Sequence, residues 1–233
     1  MRLAVIPARG GSKRIPRKNI RDFCGKPMVA WSIAAAHESG CFDRVVVSTD
    51  DEEVAAIARA QGAETPFMRP AKLADDHTTT VPVVVHAIDE MARNGHSVSE
   101  ACCIYATAPF LSPGDLRRGL DILHASGAEF VFAGTSFPFP VQRAMRKLSN
   151  GLMEMHHPEL ALTRSQDLEE AFHDAGQFYW GGAAAWRSQK PLLGASTAMV
   201  ELPRHRVQDI DTPEDWTRAV ALFKILQEPD NGA

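Results

Sequence analysis

The sequence predicts an α/β protein built on an open, mostly parallel sheet. First, short apolar runs of β type alternate with helical stretches, as in repeated β-α units. Second, the central runs are apolar throughout, which is typical of strands covered on both faces. Third, the chain has 233 residues, of which 45% are hydrophobic and 23% charged, enough for one sizeable core. We therefore expect residues 1–233 to form a single Rossmann-like domain.

The first eight elements follow one another regularly. Residues 44–48 read R-V-V-V-S, a strand with a continuous apolar centre, and residues 51–61 form an Ala-rich helix that Gly62 ends. The predicted strands are residues 3–6, 44–48, 101–105 and 130–133, and the predicted helices are residues 27–39, 51–61, 78–94 and 114–126.

The alternation breaks at residues 137–174, which we interpret as an insertion. Asn150-Gly151 is a turn signal between two Met-containing runs, so we expect a hairpin followed by a helix, projecting from the sheet. Projecting elements with apolar residues often pack against a second subunit. The insertion therefore predicts a homodimer.

Strand character returns at residues 177–186 and 198–202. The last helix begins at Thr212-Pro213-Glu214-Asp215, with Thr as N-cap, Pro in the first turn and acids at the positive end of the helix dipole. Residues 228–233 are expected to form a frayed tail.

Bulk properties restrict the possible functions. The net charge is −4, which argues against a general nucleic-acid binder. Cys102 and Cys103 are adjacent in an apolar run, which suits a buried strand in a reducing compartment. We find no secretory leader and no apolar stretch long enough to span a membrane. These observations predict a cytoplasmic protein.

A basic, glycine-containing loop follows the first strand, with the sequence P-A-R-G-G-S-K-R-I-P-R-K-N. Six Arg or Lys side chains lie between residues 9 and 21 of a net-acidic protein. Gly10 and Gly11 would let backbone N–H groups turn toward an anion, and the cations would neutralise phosphate oxygens. In an α/β sheet, ligands bind at the carboxyl ends of strands, where this loop lies. The loop therefore indicates a triphosphate site.

Other interpretations of the loop are weaker. It lacks G-x-x-x-x-G-K-[ST] and G-x-G-x-x-G, which argues against a P-loop ATPase and a nicotinamide enzyme. It could also be a solvated basic loop or an RNA anchor, but the glycine pair and the flanking strand and helix disfavour that. Nucleotidyl transfer is the chemistry that we favour.

Asp209 and Asp211 form a candidate metal site. Residues i and i+2 of an extended segment face the same way. Two carboxylates on one side suit Mg²⁺, with waters and phosphate oxygens as the remaining ligands. The alternative is that both acids belong to the cap of the last helix, although Thr212 already serves as that cap.

Taken together, these motifs resemble the acylneuraminate cytidylyltransferases, the family of CMP-sialic acid synthetases. The loop I-P-A-R-G-G-S-K-R-I-P-R-K-N-I looks like the nucleotide loop of this family. Four further segments follow in the order that this family has: S-T-D-D, R-P-A-K-L-A-D-D-H-T-T-T, A-T-A-P-F and Q-D-I-D-T-P-E-D. The resemblance covers roughly residues 3 to 226. It implies a fold of the nucleotide-diphospho-sugar transferase type, and a reaction of CTP with a 2-keto sugar acid that gives a CMP-sugar and pyrophosphate.

The resemblance also implies roles for residues at the nucleotide end. Arg9, Lys13 and Lys18 would hold the triphosphate, and Asp209 and Asp211 would hold Mg²⁺, with Asp211 as the best candidate for a base acting through the metal. The residues expected to contact CTP are Ala8, Arg9, Gly10, Gly11, Ser12, Lys18, Asn19, Arg69, Asp76 and Thr80.

The acceptor end departs from the sialic acid synthetases. Tyr105 stands where those enzymes usually carry Gln, and F-P-F-P-V-Q-R and T-R-S-Q-D-L-E-E-A-F-H-D-A-G-Q-F-Y-W-G are similar to the branch that acts on pseudaminic acid. Such a site needs a cation for the carboxylate and apolar surface for methyl groups. The candidates are Tyr105, Thr107, Arg143, Arg164, Gln166, Gln177, Phe178 and Tyr179. Phe178 and Tyr179 could equally be core residues.

Several alternatives remain open at this point. The acceptor could be sialic, legionaminic or 3-deoxy-octulosonic acid. Molybdopterin and methylerythritol nucleotidyltransferases also have an Arg/Lys-rich glycine loop, but Q-D-I-D and R-P-x-x-L-A argue against them. A non-catalytic nucleotide-sensing domain is disfavoured by the combination of phosphate-binding cations with Asp209 and Asp211.

Overall fold

The computed structural model describes residues 1–227, and the predicted tail at residues 228–233 lies outside them. The strands are β1 (Arg2–Pro7), β2 (Asp22–Phe23), β3 (Lys26–Pro27), β4 (Arg44–Ser48), β5 (Glu100–Ile104), β6 (Phe130–Ser136), β7 (Met145–Lys147), β8 (Met153–Met155), β9 (Phe172–Gly182) and β10 (Thr197–Glu201). The helices are α1 (Met28–Ser39), α2 (Glu52–Ala60), α3 (Thr80–Arg93), α4 (Pro113–Ser126), α5 (Ala183–Arg187) and α6 (Pro213–Gln227).

The central sheet has six strands in the order β10-β6-β9-β5-β1-β4. β1 pairs in parallel with β4 and β5, and β10 pairs in parallel with β6. β9 is antiparallel to both of its neighbours, β5 and β6. The predicted open, mostly parallel sheet is therefore confirmed.

Alternating side chains of β1 explain why the sheet is covered on both faces. Ala4 and Ile6 pack in one apolar cluster with residues of α1, α2 and α4. Leu3 and Val5 pack in another cluster with residues of α3 and α5. Because both faces bury apolar side chains, the strand has no polar residue at its centre. Cys102 and Cys103 are free thiols buried in β5, as the sequence indicates.

Two predicted elements differ from the structure near β9. This strand begins at Phe172 rather than at residue 177, and it ends at Gly182. Residues 183–186, predicted as the end of this strand, belong instead to α5. The sequence A-A-A-W-R has high helix propensity, and Trp186 of this turn is fully buried with its indole Nε1 donating to the carbonyl of Ala101 at 3.1 Å. Local propensity and the buried Trp186 explain the helix.

The insertion contains the predicted hairpin but not the predicted helix. β7 and β8 pair antiparallel around Asn150-Gly151, and Gly151 has φ 86°, as the turn requires. Beyond the hairpin, residues 156–171 form only short 3-10 turns at Pro158–Leu160 and Ser165–Asp167. Leu162 is 98% exposed, so this segment buries no continuous apolar face that would stabilise a helix.

The ends of the insertion meet at one edge of the sheet. Ser136, the last residue of β6, pairs with Phe172, the first residue of β9. The insertion therefore leaves and re-enters the sheet at the edge where the parallel strands end. None of the helices described in residues 1–227 has the length and apolar character needed to cross a bilayer.

Candidate active site

A cavity of about 430 Å³ opens at the carboxyl ends of the parallel strands. β1 leads into it through Pro7, β5 through Tyr105, and α3 begins at its wall with Thr80. This is the edge where open α/β sheets bind ligands. The predicted site residues that line it are Arg9, Ser12, Lys13, Lys18, Asn19, Arg69, Asp76, Thr80, Tyr105, Thr107, Asp209 and Asp211.

Two of the lining cations pair with the same carboxylate. Arg9 Nη1 lies 2.7 Å from Asp76 Oδ1 and donates to the carbonyl of Asp75 at 2.9 Å. Lys13 donates to the other oxygen of Asp76. Hydrogen bonds from Lys13 and Arg9 lower the pKa of Asp76. Asp76 therefore occupies the position at which the sequence predicts that phosphate oxygens bind Arg9 and Lys13.

A second pair of cations lies against Asp211. Lys18 Nζ is 3.2 Å and Arg14 Nη2 is 3.0 Å from Asp211 Oδ1. Lys18 Nζ also donates to the carbonyl of Ile210 at 2.6 Å, which fixes the position of its ammonium group. Arg14 belongs to the basic run but is not among the predicted site residues, because basicity alone does not distinguish the direction of neighbouring side chains.

The remaining cations of the loop are structural. Arg17 has a left-handed backbone, φ 55°, and its guanidinium binds Asp51 and Glu53. Asp51 in turn caps α2 by accepting from the backbone N–H of Glu53 and Val54 at 3.0 and 3.1 Å. Arg21 stacks over Trp216 at 4.8 Å from the ring centroid. These two arginines do not line the cavity.

The glycine pair acts differently from the prediction. The N–H of Gly10 donates to Asp50 Oδ1 at 3.0 Å, so it is not available to an anion. A Cβ at this position would overlap the carboxylate of Asp51, and this close approach is what requires glycine. Gly11 has open space around its α carbon, and Ala8 is fully buried. These three residues shape the loop but do not line the cavity.

Arg69 carries a buried charge that lacks matched partners. Only 4% of its side chain is exposed, and its nearest carboxylate oxygen, on Asp50, is 3.8 Å from Nη2. Within the described chain, its Nε and Nη2 have no hydrogen-bond acceptor. Burial lowers the pKa of Arg69, but a guanidinium stays charged in proteins. Such donors at a cavity wall indicate a site for an oxygen-rich ligand.

The start of α3 forms a further wall. Asp75 Oδ1 accepts from the backbone N–H of His77 and Thr78 at 3.0 and 2.7 Å, which folds the preceding turn. Thr79 is the N-cap residue but makes no side-chain cap bond. The positive end of this helix therefore contributes to a cation-rich cavity. The role of Asp75 is absent from the sequence analysis, although D-D-H-T-T has the pattern of an Asx turn.

Tyr105 lines the cavity next to Thr80. Its hydroxyl is 3.2 Å from Thr80 Oγ1. Tyr179 packs behind it with ring centroids 5.8 Å apart, and the Tyr179 hydroxyl donates to Asp174. Burial raises the pKa of Tyr105. Tyr105 is therefore a protonated phenol at the cavity wall, supported by Tyr179 from outside it.

Other residues predicted to bind the sugar lie elsewhere. Phe178 is fully buried in the core on the side of α4, so it has no surface to offer a ligand. Gln177 donates from Nε2 to the carbonyl of Arg206 at 2.8 Å. Arg143, Arg164 and Gln166 are exposed on the insertion and do not line the cavity of their own chain.

Asp209 and Asp211 lie on either side of a buried residue. Ile210 is fully buried, and both aspartates line the cavity, as alternation along an extended segment predicts. Burial, and then repulsion from Asp211, raises the pKa of Asp209. In the cap of α6, Asp215 accepts from the N–H of Thr212 at 2.8 Å and of Asp211 at 3.2 Å. The cap therefore leaves both carboxylates of the pair free of this role.

Comparison with known proteins agrees with this geometry. Residues 3–212 match the cytidylyltransferase family. A pseudaminic acid cytidylyltransferase of Campylobacter jejuni is 42% identical over 226 residues, covering 97% of each chain. A CMP-N,N'-diacetyllegionaminic acid synthase of Legionella pneumophila is 29% identical over 233 residues, again covering 97% of each.

The fold has solved counterparts at lower identity. The CTP complex of CMP:2-keto-3-deoxy-manno-octonic acid synthetase superposes with a TM-score of 0.70 at 18% identity, over 97% of this chain and 99% of that chain. 4-Diphosphocytidyl-2C-methyl-D-erythritol synthase from Anaerococcus prevotii superposes with a TM-score of 0.64 at 12% identity, over 96% of this chain and 98% of that chain. These two structures support the fold, and the match over residues 3–212 supports the predicted family. The chain belongs to the cytidylyltransferase family.

Proposed function

We propose that this protein transfers CMP from CTP to pseudaminic acid, releasing pyrophosphate. The observation that carries the proposal is one cavity at the sheet edge that combines phosphate-binding cations with the carboxylates of Asp209 and Asp211. The 42% identity to a pseudaminic acid cytidylyltransferase over almost the full length supports this acceptor.

The cations of the nucleotide loop would bind the triphosphate. Arg9 and Lys13 lie together on one side of the cavity, and Lys18 lies at the carboxylate pair. Phosphate oxygens would replace the carboxylate of Asp76 as the partner of Arg9 and Lys13. This replacement costs the existing ion pairs but gives each cation a partner of higher charge.

Mg²⁺ fits the carboxylate pair, with part of its coordination supplied by the substrate. Asp209 and Asp211 both line the cavity and offer hard oxygen ligands from one extended segment. No group of three or more His, Cys, Asp or Glu side chains suited to a metal occurs in residues 1–227. Phosphate oxygens and waters would thus complete the shell. When bound, Mg²⁺ supplies positive charge to the phosphate oxygens and acidifies a coordinated hydroxyl.

The chain's own residues would position an in-line displacement. The C2 hydroxyl of the sugar acid attacks the α-phosphorus, a new O–P bond forms, and the bond to pyrophosphate breaks. Arg9 and Lys13 would stabilise the charge that develops on the leaving pyrophosphate. Asp211 is our candidate acceptor for the proton of the attacking hydroxyl. Tyr105 and Thr107, which line the same cavity, would contact the sugar.

A homodimer is part of this proposal. The insertion exposes Phe139 and Leu162 at 79% and 98%, together with smaller exposed surfaces on Leu152 and Met153. Burial of such apolar surface against a second copy is favourable. Because Arg143 and Arg164 do not line the cavity of their own chain, we propose that they serve the site only in the dimer.

The direct test is turnover. Purified protein is incubated with CTP, Mg²⁺ and one of pseudaminic, legionaminic or sialic acid, and pyrophosphate is measured. We expect the highest kcat/KM with pseudaminic acid. Legionaminic acid is the second candidate, because a synthase for its CMP derivative is 29% identical over 97% of the chain. Absence of pyrophosphate release with all three acids would contradict the proposed function.

A further inference from the structure

A buried carboxylate outside the cavity connects α4 with the segment that carries Asp209 and Asp211. Asp115 lies in the first turn of α4, and only 5% of its side chain is exposed. Its oxygens accept from Arg206 at 2.7 and 3.3 Å and from Arg118 at 2.8 Å. A buried carboxylate is stable only when paired in this way. The bidentate contact also fixes the orientation of the Arg206 guanidinium.

Arg206 lies in the last helical turn before the carboxylate pair. It ends the 3-10 turn Arg204–Arg206, three residues before Asp209. Its carbonyl accepts from Gln177 Nε2 at 2.8 Å, so both its side chain and its backbone are held. Val207 packs against the core beside it, and Ile210 is fully buried with its carbonyl accepting from Lys18. Residues 208 and 209 therefore span a short distance between two anchored points.

We propose that Asp115 is a positioning residue for the metal-binding carboxylates, acting through Arg206. The inference rests on the proposed function, since it assigns to this ion pair the task of placing Asp209 beside Asp211. Asp211 is held directly by Lys18 and Arg14. Asp209 is held from its N-terminal side by the backbone that Arg206 anchors. Partners that orient metal ligands from behind typically change metal affinity by about 10- to 100-fold when removed.

Arg118 provides a matched control within the same cluster. Arg118 donates to Asp115 Oδ1, the oxygen that also accepts from Arg206 Nη2. It donates in addition to the carbonyl of Glu201 at 3.3 Å. Arg118 is on α4 itself and does not hold the segment at residues 207–211. Arg118→Met and Arg206→Met therefore each remove one guanidinium from Asp115, but only Arg206→Met releases the segment.

The experiment measures Mn²⁺ binding by electron paramagnetic resonance, with CTP present and no acceptor, so that no turnover is needed. Wild type, Asp115→Asn, Arg206→Met, Arg206→Lys and Arg118→Met are compared, and Asp211→Ala gives the background from Mn²⁺ bound by CTP alone. We expect Asp115→Asn and Arg206→Met to raise the Kd for Mn²⁺ by roughly 10-fold. The Kd of Arg206→Lys for Mn²⁺ should lie between the values of these two variants and that of wild type. The Kd of Arg118→Met should equal that of wild type.

Melting temperatures separate positioning from stability. Equal loss of Mn²⁺ affinity in Arg118→Met and Arg206→Met, in proportion to their loss of Tm, would overturn the inference. Wild-type affinity for Mn²⁺ in a folded Arg206→Met variant would also overturn the inference. If that variant does not fold, the Mn²⁺ affinities of Arg206→Lys and Asp115→Asn are compared with wild type in its place. If wild type binds no more Mn²⁺ than Asp211→Ala, the metal site of the proposed function fails as well. Normal wild-type binding with unchanged variants contradicts only the present inference.

Discussion

The nucleotide loop, residues 7–21, and the insertion, residues 137–174, both carry basic side chains, in very different settings. In the loop, each cation that lines the cavity is held by a carboxylate or a carbonyl of another segment. In the insertion, Arg143 bonds only within the insertion, to the carbonyl of Thr163 at 2.9 Å, and large apolar side chains face outward. The cavity-lining cations of the loop are therefore fixed by contacts within the chain, whereas the insertion presents large apolar side chains to solvent, and this difference is the basis of the proposed dimer.

Loss of the carboxylate pair should have the largest effect on the nucleotide end. We expect Asp211→Ala to reduce kcat by at least about 100-fold, because charge on the phosphate oxygens would lose its main stabilisation. The measurement is pyrophosphate release at saturating CTP and Mg²⁺. An unchanged circular dichroism spectrum controls for folding, and retained activity would remove the metal assignment.

Arg69 tests whether a buried cation serves the ligand rather than the fold. Arg69→Met should weaken CTP binding by about 1.5–3 kcal/mol, roughly 10- to 100-fold in Kd measured by calorimetry. Because the guanidinium lacks full partners among residues 1–227, the Tm without ligand should stay the same or rise. Arg17→Met is the control, because Arg17 supports the cap of α2 and its loss should lower Tm. The opposite pattern would make Arg69 a structural residue.

The proposed role of the insertion as a dimer interface can be tested by substituting its exposed apolar residues. Phe139→Asp/Leu162→Asp should convert a dimer into a monomer in light scattering, and it should raise the KM for the sugar acid while leaving the KM for CTP unchanged. The matched control is Ile225→Asp on α6, which is 63% exposed and lies outside the insertion. A dimer that survives the double substitution would contradict the assigned interface.

The smallest effect is expected at Asp76. Asp76→Asn frees Arg9 and Lys13 from an ion pair that is partly exposed, so we expect the KM for CTP to fall by about threefold. Initial rates over a range of CTP concentrations measure this, and Asp43→Asn, remote from the cavity, is the control. A rise in KM would instead show that Asp76 contacts the nucleotide complex directly.

The sequence predicts the fold well where the pattern of residue types is compatible with only one local structure. The strand at residues 44–48 is predicted to the residue, because V-V-V must be covered on both faces. Asp209 and Asp211 meet at one side because Ile210 between them is buried. These are consequences of local periodicity.

Prediction is weaker where tertiary contacts decide among similar residues. Arg17 and Lys18 are neighbours of like charge, but only the position of Asp51 on α2 shows that Arg17 is structural. Phe178 and Tyr179 face opposite sides of β9 by simple alternation, and only the packing of Tyr179 against Tyr105 shows which of the two lies behind the cavity wall. The positioning role that we propose for Asp115 depends on a contact with Arg206, which is 91 residues away in the sequence.

The pairing of Ser136 with Phe172 fixes both ends of the insertion at one point of the sheet. Since β9 runs against its neighbours, this point lies at the edge that carries the cavity. The chain between residues 137 and 171 can therefore lengthen, shorten or change sequence without altering the sheet register or the nucleotide loop.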